Sequence, residues 1–113
     1  MGEQDPTGRS AHEPGAKLDA GKVRAGLVLG GFSRALWAVS EVGTFGARKY
    51  TPNGWRSVPD GIERYTDALE RHRLLEAMGH CTDPDSELLH AAHTAWNALA
   101  RLELLLLELE QPQ

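Results

Sequence analysis

Apolar residues in the second half of the chain recur at helical spacing. Leu88, Ala92, Ala95, Trp96, Leu99, Leu102, Leu106 and Leu109 form a broad stripe, and this periodicity predicts one long helix reaching about Glu110. Its start is expected at Asp83-Pro84-Asp85-Ser86-Glu87, with Asp83 as the cap, proline in the first helical position and acids near the positive end of the dipole. A shorter pattern, Ile62, Tyr65, Leu69, Leu75 and Met78, predicts a preceding helix. Asp60 and Glu63 have the spacing of a capping-box pair, and Gly79 stands where a left-handed terminating residue is wanted, so this helix should end near Met78. Ser33 to about Arg48 carries Leu36, Trp37, Val39, Val42 and Phe45 and predicts a third helix, weakened by Gly43 and Gly46, which would permit close packing. Between Tyr50 and Pro59, the residues Pro52, Asn53 and Gly54 predict a turn-rich connection. No alternating segment is long enough for a strand. The expected fold is all-α, a small helical bundle whose broad apolar faces can pair with a second copy to give a homo-oligomer.

Composition narrows this reading. A chain of 113 residues, 41% hydrophobic and 25% charged, has room for one small domain and a modest core. Residues 1–16 hold prolines, glycines and charges with no aliphatic side chain larger than alanine after Met1, and are expected to be a flexible leader to a domain spanning 17–110. The longest uninterrupted apolar run, Leu104 to Leu107, is far below the ~20 residues that span a bilayer. A charged N-terminus lacking a secretory pattern and a single cysteine, Cys81, which has no internal disulfide partner, fit a cytoplasmic location.

Charge is divided along the chain. Seven Lys and Arg face two acids between Lys17 and Arg56, whereas eleven acids face four Arg between Asp60 and Glu110. The net charge of −4 argues against neutralising a duplex backbone, so no duplex nucleic acid is expected. The same division suits a compact anion bridged to carboxylates by a divalent cation, or simply two solvated helix faces.

Candidate chemistry concentrates between positions 67 and 97. His90, His93 and Asn97 occupy one face of the predicted last helix, and the preceding helix supplies Asp67, Arg71 and His72. If the two helices pack antiparallel, these groups meet Asp83 near the connecting turn, and carboxylates and imidazoles arriving from several directions are what a metal ion requires. Each also has a plain structural reading: bonded helix histidines, a capping Asp83, an Asp67–Arg71 ion pair. Lys17 and Lys22 flank Asp19 and Gly21 in a segment that can donate to phosphate, though it is not a Walker A loop. Lys49 and Tyr50 follow at a helix end, and Trp55 either stacks on a base or closes the core beneath its loop.

Taken in order, Lys17-Leu18-Asp19-Ala20-Gly21-Lys22, Phe45-Gly46-Ala47-Arg48-Lys49-Tyr50, Asn53-Gly54-Trp55, Asp67-Ala68-Leu69-Glu70-Arg71-His72, Asp83-Pro84-Asp85-Ser86 and His90-Ala91-Ala92-His93 followed by Asn97 resemble the dATP/dGTP diphosphohydrolase N-terminal domain family, short and often phage-encoded chains. The resemblance implies metal-dependent hydrolysis of a purine deoxynucleoside triphosphate to monophosphate and pyrophosphate, related in chemistry to MazG-like enzymes. It implies a divalent ion, magnesium or manganese, held among Asp67, His72, Asp83, His90 and His93. Glu41, Asp83 and His90 are the candidate catalytic groups, and Lys17, Lys22, Lys49, Tyr50, Trp55 and Arg71 the candidate nucleotide contacts. The alternatives are a nucleotide-binding protein without turnover and a helical interaction protein.

Overall fold

The structure, a computed structural model, describes residues 2–111. It is all-α, as the periodicity predicts, and divides into two units, Met1–Phe32 and Ser33–Gln113. In the first unit the Asp5 carboxylate gathers the chain: it accepts hydrogen bonds from the Thr7 N–H, the Thr7 hydroxyl and the Lys17 N–H. The Ala20 N–H donates to the Gln4 carbonyl at 2.8 Å, and a short helix, α1 (Ala25–Gly30), follows. That helix carries no readable periodic signal, since it is less than two turns long.

The second unit contains α2 (Ser33–Lys49), a 3-10 turn (Gly54–Ser57), α3 (Gly61–Ala77) and α4 (His90–Glu110). Helix α3 runs antiparallel to α4: His72 meets His90, Thr66 meets Arg101 and Gly61 lies against Leu104, so contacts climb one helix while descending the other. The same holds for α2, where Phe45 meets His93 and Gly43 meets Trp96. A Cβ on Gly43 would stand 3.1 Å from Trp96 Nε1, so the missing side chain lets these helices approach; Gly46 has open space instead. Trp96 is the centre of an aromatic cluster, with Trp55 at 6.0 Å and Tyr65 at 5.7 Å in edge-to-face arrangement. The Tyr65 hydroxyl donates to the Trp55 carbonyl and ties the 50–59 connection onto the bundle.

Helix boundaries agree with expectation at three ends and at the start of α3, where only the cap differs, and depart from it at the start of α4. Helix α2 ends at Lys49, α3 ends before Gly79, whose φ of +96° reverses the chain, and α4 ends at Glu110. Asp60 does precede α3, but its backbone is left-handed, φ 56°, and its side chain makes no cap hydrogen bond, so no capping box forms. Helix α4 begins at His90, seven residues beyond the predicted cap at Asp83. The Asp83 carboxylate does accept the Ser86 N–H at 2.9 Å, but it closes a single turn and no more. Glu87, at φ 62°, then redirects the chain. The Asp83 N–H returns to the Leu88 carbonyl and the His90 N–H to the Cys81 carbonyl, making 81–90 a closed loop. Among the described residues, no helix is long and apolar enough to cross a membrane.

Candidate functional site

Three elements of the second unit converge where α3 gives way to α4. From α3 comes His72, half-buried; from the closed loop comes Asp83; from the first turn of α4 comes His90, only 1% exposed. One donor atom from each of His72, Asp83 and His90 lies within 4.8 Å of the others. The two imidazoles meet through their Nδ1 atoms at 2.8 Å, so in the neutral state one nitrogen carries the hydrogen and the other accepts it.

His93 sits beside this group. Its ring stacks on that of His72, with centroids 4.5 Å apart and planes 11° from parallel, and Phe45 of α2 meets its edge at 6.5 Å. Its Nε2 is 2.6 Å from the Ser86 hydroxyl and 3.9 Å from Asp83 Oδ2. Ser86 therefore links the loop to α4, and its hydroxyl also accepts the Leu88 N–H at 3.1 Å. Asn97, one turn further and buried, donates its side-chain amide to the His93 carbonyl.

This environment favours neutral rings and an ionised acid. Burial, followed by the neighbouring His93 and His90, lowers the pKa of His72 from 6.5 to about 4. Burial also lowers that of His93, against the opposing pull of Asp83. For Asp83, burial pushes upward, but the Ser86 N–H and hydroxyl together with the His93 and His72 charges outweigh it, and the net shift is downward. A carboxylate beside neutral imidazoles is a donor set suited to a divalent cation.

The remaining candidates lie in varied places. Asp67 is exposed on α3, outside the convergent group, and forms no ion pair with Arg71. Arg71 is exposed, and its charge helps to lower the His72 pKa. Glu41 is exposed on α2 and is not among the gathered donors. Lys49 forms an exposed ion pair with Asp85 at 2.5 Å and lies 5.7 Å from the Phe45 ring centroid and 5.5 Å from that of Tyr50. It thus borders the residues around His93. Trp55 packs on Trp96 and so closes the core beneath its loop. Lys17 and Lys22 belong to the first unit, where Lys22 pairs with Glu3 at 3.3 Å. Ser86, Asp85 and Phe45 were not singled out as site residues from the sequence. The motif Asp83-Pro84-Asp85-Ser86 contained two of them, but reading it as a helix start concealed their roles.

Comparison with known proteins adds a family to this geometry. The profile of the family described as dATP/dGTP diphosphohydrolase, N-terminal, matches residues 12–112. The chain belongs to that family. The match spans α1 to α4 and therefore all of His72, Asp83, Ser86, His90 and His93. No curated protein and no solved structure matches the chain.

Proposed function

We propose that this diphosphohydrolase-family chain hydrolyses a purine deoxynucleoside triphosphate, dATP or dGTP, to the monophosphate and pyrophosphate, using a divalent ion. The convergence of His72, Asp83 and His90 from three elements carries this reading, because it gathers donors able to hold a cation in a chain whose family name points to that reaction. The three side chains would hold the ion, which would supply charge neutralisation on the phosphate oxygens and acidify a water. Water attacks the α-phosphorus; the new P–O bond forms as the bond from that phosphorus to the bridging oxygen breaks and pyrophosphate departs.

Ser86 and His93 form the proton path. The Ser86 hydroxyl accepts the proton of the attacking water and passes its own to His93 Nε2, which is free to accept it because burial keeps the ring neutral. Arg71, exposed beside His72, steadies the departing phosphates, and Lys49 exchanges its Asp85 partner for a phosphate oxygen. Tyr50, exposed at the end of α2, covers the base. These assignments place proton transfer on Ser86 and His93 and leave Asp83 and His90 to the ion. Dissolved nucleotides in the cytoplasm are the matching substrate pool.

Incubating the purified chain with each of the four deoxynucleoside triphosphates and a series of divalent ions should release pyrophosphate from dATP or dGTP, and a chelator should stop it. His93→Gln should lower turnover on the order of 100-fold or more, the usual range for loss of a general base. Nucleotide binding without product would refute hydrolysis and favour a sequestering role.

A further inference from the structure

We infer that the His72, Asp83 and His90 centre selects a nitrogen-accepting transition ion, of the cobalt, iron or zinc class, over magnesium, with His93 beside the ion and not bound to it. The inference rests on reading this cluster as a metal centre and adds which ion it takes. Two imidazole nitrogens and one carboxylate are a donor set of intermediate softness. Magnesium prefers an all-oxygen octahedron, sheds water reluctantly and is served poorly by imidazole, whereas zinc, cobalt and iron accept it readily.

The spacing of the two rings is compatible with a small cation. Nitrogen ligands at about 2.1 Å from an ion stand roughly 3.0 Å apart when adjacent at a right angle. His72 Nδ1 and His90 Nδ1 are 2.8 Å apart, so a small cation would need only a slight opening of the pair. Three protein donors leave further positions open, the arrangement found where a metal must also bind a substrate.

His93 is excluded as a ligand by its other commitments. Its Nε2 lies 3.9 Å from Asp83 Oδ2 but is engaged by the Ser86 hydroxyl at 2.6 Å, and its ring lies flat against that of His72. Asp67 is excluded by position, being exposed and outside the gathered atoms.

The test is titration of the full chain, stripped with chelator and free of nucleotide, with cobalt(II), followed by visible absorption. One cobalt per chain should bind, zinc should displace it, and magnesium in large excess should not. His72→Ala should remove the absorption band while His93→Gln retains it. Because His90 is buried and His90→Ala can unfold the chain, thermal melting of the wild type provides a second readout: zinc or cobalt should raise the midpoint and magnesium should leave it unchanged. Displacement by magnesium, a band that survives His72→Ala, or no melting shift with any ion would overturn the inference. Cobalt binding without triphosphate hydrolysis would refute the proposed reaction alone; hydrolysis supported by magnesium bound at this cluster would refute the ion assignment alone.

Discussion

His72 and His93 give the metal-free protein a defined response to acid. Both pKa values are lowered in the fold, that of His72 from 6.5 to about 4. The unfolded chain therefore takes up protons first as pH falls, and it binds more of them than the native state between roughly 6.5 and 4. Stability must rise with pH across that window and fall as the solution is acidified through it. Thermal melts of chelated protein from pH 7.5 down to pH 4 should show a progressive drop in midpoint, and His72→Gln should flatten it. A midpoint independent of pH over that interval would contradict the burial-driven neutrality of these rings. At this scale the sequence was partly legible. The three-residue spacing of His90 and His93 announced a shared face, and His72 followed from the expected antiparallel neighbour. Asp67 was misleading for a simple reason: five residues from His72 is a rotation of about 140° around the helix, which puts the two on different faces.

Helices declared themselves where periodicity was long and the terminating residue unambiguous, as in α2 and at Gly79 after α3. The start of α4 did not, because a capping acid, a proline and further acids are equally the ingredients of an isolated turn. What decides between them is the backbone reversal at Glu87, a conformation that residue rarely adopts and that its identity does not signal. The two glycines of α2 illustrate a second limit. They are alike in sequence, yet only Gly43 faces a neighbour. Gly43→Val should force α2 away from Trp96 and cost about 1 to 3 kcal/mol, the usual range for overpacking. Gly46→Ala, with nothing within 4 Å of the new atom, should stabilise the helix by about 0.5 to 1 kcal/mol. Urea denaturation of both variants checks the contrast; equal effects would mean that the α2–α4 approach is looser than described.

Across the whole molecule, little apolar material is fully enclosed. Among the described residues the buried hydrophobic side chains are Val42, Ala92 and Ala100, all of modest size. Meanwhile Ala95, Leu99, Leu102, Leu106 and Leu109 follow alternating steps of four and three along α4, and every one is exposed, Leu102 by 50%. That repeat is the seam by which two helices wind together. The chain is expected to self-associate through it: sedimentation should show mass rising with concentration, and Leu102→Glu with Leu106→Glu should give a monomer that keeps its helical circular dichroism. A wild type that stays monomeric at high concentration would rule this out. The candidate centre has another kind of independence. Every one of its donors, together with the serine beside them, lies in the unbroken stretch from His72 to His93. The chemistry is therefore packed as a cassette: insertions or losses elsewhere in the gene can reshape the route by which a substrate arrives, yet none of them removes a donor.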